Sequence, residues 1–369
     1  MSPSAPSSPT PDQPRGKTGR TAAFAREFAR ISPLNGDVQV SIKAMLCLIV
    51  SLLILTGFER TDLFGAAAFG AFSALFARNV PPRHAMRAQA EGGLTVIAAI
   101  MIGVACAAWS PSPLISVLVV AVYAVCIDAI NRSRVWRAPA GLFVAFAAGA
   151  FSNTADVDGS KALSIFVAAA GTGAFALVLT LLQSLHHNPN LTQDFPPKTH
   201  RLRGTFFSET TLVVLIAALA GSFFGWLATP EHAYWGTVTA IAMASRPHGA
   251  NWKIRALHRF TGTLIGAVIA TPLLLWDMPV WATITTLVLA QGLTELFVLR
   301  NYAIGIVFIT VQALAMTAVS HPGTGVDIAG ERLLATVIGL VCGVATIVLE
   351  QILEGRERRA AEAAQAEEN

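Results

Sequence analysis

Six ionisable side chains stand inside stretches that are otherwise apolar: Lys43, Glu91, Asp128, Glu209, Glu295 and Glu350. An ionised group in hydrocarbon is costly unless paired or hydrated, so each is a functional candidate by default. Glu209 and Glu350 lie at the ends of their runs, where a long side chain reaches water, and drop out. Glu295 shares a helix face with Gln291 one turn earlier. A carboxyl shielded from water there is suited to carrying a proton, and the competing reading is a carboxylate that snorkels to the boundary. Asp128 has the same two readings. Arg87 and Glu91 are one helical turn apart and can pair, either as a structural salt bridge or with Glu91 as a third proton-carrying acid. Lys43 is the only base well inside a run. With Arg83, Arg87, Arg255, Arg259 and Arg300 it would make a positive vestibule that concentrates organic anions. Membrane orientation alone explains loop arginines, but not Lys43.

Other chemistry is missing. No nucleophile elbow, phosphate-binding loop, metalloprotease helix or dinucleotide fingerprint occurs, so an enzyme is not expected. Cys47, Cys106, Cys126 and Cys342 each sit in an apolar segment without C-x-x-C spacing, and the eight histidines, His186 and His187 included, lack companion ligands. No metal and no cofactor are expected. The partners expected are a small organic anion and the lipid bilayer, with no nucleic acid; the chain is complete alone or pairs again as a homodimer.

The elements that would carry these residues follow from composition. The 369 residues are 54% hydrophobic and 13% charged, about half the charge of a soluble domain. Apolar runs long enough to approach a bilayer's thickness fall at about 39–58, 62–78, 89–109, 112–130, 138–153, 162–183, 209–228, 233–245, 257–276, 280–299, 301–319 and 331–352. Of the 26 lysines and arginines, 22 lie in the tails and in alternate loops. The opposite loops hold only Arg60, Lys161 and Arg332 and are rich in acids. The positive-inside rule then places both termini in the cytoplasm. Trp109, Trp226, Trp276 and Trp281 mark the outer boundaries and Trp136 and Trp252 the inner ones.

The expected fold is an all-α integral membrane protein of about twelve transmembrane helices in two parallel six-helix repeats. Its parts are a disordered Pro- and Ser-rich tail (1–20), an amphipathic interfacial helix (21–36), a first lobe (37–183), a cytoplasmic linker (184–207), a second lobe (208–353) and a charged C-terminal tail (354–369). The repeat shows in "RHAMR" (83–87) against "RALHR" (255–259), in "GTGAFALVLTLLQ" (171–183) against "GLVCGVATIVLEQ" (339–351), and in Asp128 against Glu295. An even number of spans per half relates the halves by an axis along the membrane normal. Spans two and eight correspond and are short, which points to helices lining a substrate path or to short helices inside the bundle. Gly221 with Gly225, Gly262 with Gly266, and Gly339 with Gly343 are expected at close helix contacts.

The junction "RNYAIGIVFITVQALAMT" (300–317), preceded by "RALHRFTGTLIGAVIA" (255–270), resembles the fusaric acid resistance protein-like family, related to aromatic acid exporters and to aluminium-activated malate transporters. The resemblance is best over about 205–352; in the first lobe "WRAPAGLFVAF" stands where the Arg-Asn-Tyr junction would be. It implies export of aromatic or other organic carboxylates across the plasma (inner) membrane, proton-coupled or as passive anion conduction. A non-transporting scaffold protein is the reading outside transport. On the carrier reading, Lys43, Arg87, Arg259, Arg300, Asn301 and Tyr302 would bind substrate, and Glu295, Asp128 and Glu91 would couple protons.

Overall fold

A computed structural model describes residues 17–34, 37–78, 80, 82–109, 112–134, 136, 139–185, 202–245, 251–276, 278–320 and 325–368. Most of the expected tail (1–16) and of the linker (186–201) lies outside these residues. Among the described residues every regular element is helical. In chain order they are α1 (Lys17–Ala29), α2 (Asp37–Gly57), α3 (Phe64–Ala71, flanked by 3₁₀ turns over 61–63 and 72–77), α4 (Pro82–Trp109), α5 (Pro113–Ser133), α6 (Ala140–Phe151) and α7 (Gly159–Leu185). The second half holds α8 (Leu202–Phe206), α9 (Glu209–Ala228), α10 (Tyr234–Ala244), α11 (Trp252–Leu275), α12 (Val280–Phe297), α13 (Tyr302–Ser320) and α14 (Gly325–Glu368).

Each of the twelve apolar runs forms a helix. Nine helices among the described residues are long and apolar enough to cross a membrane, and two apolar stretches are shorter, 61–77 and 140–151; the buried helix 234–244 is short as well. All-helical among its described residues, the chain is a multi-pass membrane protein. Spans two and eight are short as expected, and the fifth is short as well. The C-terminal tail does not begin a separate segment at 354; α14 continues through it to Glu368. Its composition explains this, because 354–368 is Ala-, Glu- and Arg-rich without Gly beyond position 355 or any Pro.

Local sequence sets the helix ends. Ser112, Ser208 and Asn251 accept from the backbone N–H of Ile115, Thr211 and Lys253, satisfying donors that the first turn leaves free. Pro113 follows Ser112 at the first helical position, where its missing N–H costs nothing.

Packing follows small residues. Gly262 and Gly266 bring α11 against α13; a Cβ on Gly262 would stand 2.8 Å from Ile306 Cβ, and one on Gly266 2.7 Å from Thr310 Cβ. Gly221, Gly236 and Gly339 join α9, α10 and α14, with a Cβ on Gly221 only 2.7 Å from that of Ala240. In the first half α4 packs on α6 and α7, α5 on α6, and α3 on α7; in the second half α11 packs on α13 and α14, α12 on α13, and α10 on α14. Three seams join the halves, α5 against α9, α6 against α10, and α12 against α2. The arginine-bearing loops gather at one end of the bundle, called here the basic end, where Arg78 meets Asp37 and Glu295. The acid-rich loops meet at the other, where Asn153 donates to the Glu231 carbonyl and His232 contacts Glu331.

Candidate functional site

Three buried polar groupings and a cavity between the halves emerge from this packing. The first lies at the α12/α2 seam. Glu295, on α12, is completely buried. Arg78 follows the short apolar stretch 61–77, and because that stretch ends early its guanidinium lies within the bundle. Its Nη2 donates to Glu295 Oε2 at 2.9 Å and to the Glu295 carbonyl, while Nη1 stands 3.3 Å from Asp37 Oδ1. Gln291 Nε2 donates to Glu295 Oε1 at 3.0 Å, and Gln312 Nε2 to Gln291 Oε1 at 2.7 Å. Gln312, one of the few polar interruptions of α13, thus continues the polar chain inward. Lys43 Nζ donates to Thr180 Oγ1 at 2.8 Å, and Thr180 to Gln89 Oε1 at 2.5 Å, within electrostatic reach of Glu295. Two cations and two carboxylates therefore balance in the interior, as buried charges must.

The second grouping occupies the α5/α9 seam. Arg132 donates through Nη1 to Asp128 and through Nη2 to the Thr211 hydroxyl. Gly141 leaves room for the carboxylate, since a Cβ there would lie 2.7 Å from Asp128 Cβ. Ser245, at the end of the short α10, neighbours Asp128 from the side on which Arg78 meets Glu295 at the α12/α2 seam.

The third is cationic. Arg259 is fully buried and donates to the Tyr302 hydroxyl at 3.2 Å and to Thr239 Oγ1 at 3.1 Å. Arg255 Nε donates to the Ala242 carbonyl at 2.8 Å, with its guanidinium 4.3 Å from the Tyr302 ring centre. Arg332, read from sequence as a loop arginine, is fully buried beside Trp235 and Phe146.

The cavity, about 250 Å³, opens towards the acidic end between the halves. Its walls come from α3, α6, α10 and α13 and include Phe64, Phe69, Phe146, Phe151, Tyr234 and Met316; Asp62, Asn153, Lys161 and His232 are at its polar parts. Phe69 meets Phe146 edge-on at 5.1 Å, and Phe146 stacks on Tyr234 at 6.2 Å. All three short apolar helices contribute to this lining.

The structure unites some of the sequence candidates and separates others. Lys43 and Glu295 share one grouping, Arg259 and Tyr302 another, and Asp128 stands at the α5/α9 seam. Arg87, with 74% of its side chain exposed, pairs with Glu91 at 2.8 Å on the bundle surface, and Arg134 stands 4.0 Å from the same acid. Arg300 and Asn301 hold the N-terminal segment: Arg300 Nε donates to the Ser32 carbonyl at 2.9 Å, and the Asn301 amide to the carbonyls of Phe28 and Arg30 at 3.2 Å each. Asn301 Oδ1 also caps α13 by accepting from Ile304 N–H at 3.2 Å. The abrupt charge-to-apolar junction is therefore a strap anchor and helix cap. Sequence reading missed Arg78, Asp37 and Arg332. The shortness of the 62–78 run was the available signal for Arg78; a spacing signal for Arg332 was hidden because its helix begins at Gly325, earlier than the apolar run.

The sequence model of the family described as "Fusaric acid resistance protein-like" matches residues 212–346. That segment carries Arg255, Arg259, Glu295, Tyr302 and Arg332. The uncharacterized membrane protein YvaC of Bacillus subtilis (strain 168) is 29% identical over 133 residues, which is 36% of this chain and 20% of that protein. The chain thus matches about a fifth of the length of this curated relative. No solved structure matches it.

Proposed function

We propose, from the fusaric acid resistance protein-like match over 212–346, that this chain is a plasma-membrane carrier exporting organic anions, aromatic carboxylates foremost, and not an enzyme. The observation that carries the reading is the aromatic-walled cavity between the halves. Phe69, Phe146, Phe151 and Tyr234 offer ring faces and edges to an aromatic ring, and its volume of about 250 Å³ suits a single-ring acid. The arginine-rich end faces the cytoplasm on this reading, in line with the distribution of basic residues. The twelve apolar helices form two six-helix repeats, a view supported by the matching helix partners in the two halves and the seams between them.

Anions would be drawn to the basic end and bound by Arg259 and Tyr302, with Lys43 adding positive potential beside Glu295. Glu295 and Asp128 would carry protons. Arg87, Arg300 and Asn301 are left out of the substrate path, and Glu91 out of the proton path, because of where they lie.

The test is a panel of labelled aromatic acids offered to proteoliposomes with and without a proton gradient. The carrier reading expects gradient-accelerated accumulation, with Glu295→Gln losing the gradient-driven part. Undiminished accumulation in that variant would remove the assigned role of Glu295. A second reading, a passive anion channel, is favoured by the ion pairs of both acids, Glu295 with Arg78 and Asp128 with Arg132, since neither then needs to titrate. Currents that reverse at the anion's equilibrium potential whatever the pH gradient would select it. Purified protein that moves no carboxylate in any gradient would support a scaffold.

A further inference from the structure

Arg332 enters the interior about two turns into α14, is completely buried, and leaves Nε and Nη1 without a hydrogen-bond partner. None of the ion pairs among the described residues includes it. Its neighbours are rings: Cζ lies 5.0 Å from the Trp235 centroid and 5.7 Å from that of Phe146. Arg259 is a second fully buried cation outside every ion pair among the described residues, with neutral hydroxyls on its Nη atoms and Nε unpartnered. The two guanidinium groups lie within electrostatic reach of one another, with Tyr302 near both and Tyr234 near Arg332. Two like charges in one low-dielectric interior are strongly unfavourable unless an anion joins them.

Their order is directional. Arg255 stands nearest the basic end of α11, Arg259 one turn deeper, and Arg332 behind the stacked Phe146 and Tyr234 rings that wall the cavity. Arg255, Arg259 and Arg332 come from α11 and α14, in the second half.

We propose that Arg259 and Arg332 are successive carboxylate-binding positions contributed by the second half, with Tyr302 between them and the Phe146 and Tyr234 rings separating them from the cavity. A carboxylate accepts two N–H bonds from a guanidinium, which an aromatic neighbour cannot. The proposal rests on the anion-transport reading and names its binding residues.

Benzoate is the probe, and the full-length protein in detergent and in liposomes the sample. Benzoate is expected to raise the unfolding temperature of the native protein and of Arg332→Lys. In Arg332→Met the half-saturating concentration should rise about tenfold or more, the size of a lost charge-assisted contact. Without benzoate, Arg332→Met should unfold at a higher temperature than the native protein, because an uncompensated buried charge has gone. A structural arginine would give the opposite shift. Tyr302→Phe, which keeps the ring, provides an independent arm: its half-saturating concentration should rise about threefold or more. Native benzoate response in Arg332→Met or in Tyr302→Phe, or no response in the native protein, overturns the site. Arg332-dependent benzoate binding without flux would uphold the site while removing the transport reading. Flux that Arg332→Met leaves unchanged would do the reverse.

Discussion

Arg78 is gripped by two acids from different helices, Asp37 on α2 and Glu295 on α12, and all three are almost wholly enclosed. Replacing Arg78 by Met leaves both carboxylates buried without their cation. A broken buried pair of this kind costs about 3–5 kcal/mol, so Arg78→Met should lower the unfolding temperature sharply in detergent. Adding Glu295→Gln should recover part of the loss; no recovery would mean that the guanidinium matters for packing alone. At this scale the acids were legible and their partners were not. Asp128 and Glu295 stand out as charges in apolar runs. Arg78 ends its run and counts as one more loop arginine until the shortness of 61–77 places it inside the bundle. Arg300 and Asn301 were visible as a junction, but their partners at 28–32 are some 270 residues away in sequence, beyond any local pattern.

The elements divide into long helices that give the body and short ones that line the cavity. Glycine contacts hold the short ones in place. A Cβ at Gly236 would come within 2.6 Å of the Gly221 carbonyl, whereas one at Gly171 meets nothing within 4 Å. Gly236→Ala should therefore cost about 1–3 kcal/mol of stability and Gly171→Ala almost nothing, as read from paired thermal melts; equal losses would refute the packing account. The segment 28–34 is held by Arg300 and Asn301 at the start of α13 and by His258, which contacts the Phe28 carbonyl at 2.9 Å through Nε2. Asn301→Leu should release it, seen as faster proteolysis near Arg30 with the helical spectrum retained. Helix positions were readable from hydropathy because lipid permits little else for a spanning chain. The amphipathic helix was expected from residue 21, yet α1 begins at Lys17. The C-terminal helix runs on because propensity, which hydropathy ignores, favours it.

Across the whole molecule, the ends of the bundle differ in charge, and the sequence conveys this through its alternating loops. With the four native cysteines replaced, a Glu59→Cys label site should react in intact cells and a Ser32→Cys site only after permeabilisation; the reverse pattern would invert the topology. Helix partners were beyond sequence reading, since weak echoes such as "RHAMR" and "RALHR" relate the halves without saying which helix of one meets the other. The seams supply that answer, with α2 on α12, α5 on α9 and α6 on α10, and they bear on biosynthesis. Arg78 leaves the ribosome 217 residues ahead of Glu295, an interval of roughly ten to forty seconds at ordinary elongation rates. For that time the newborn first half has a charged flank with no α12 to cover it, so any stall or premature stop before Glu295 yields an open bundle for the membrane's quality-control proteases.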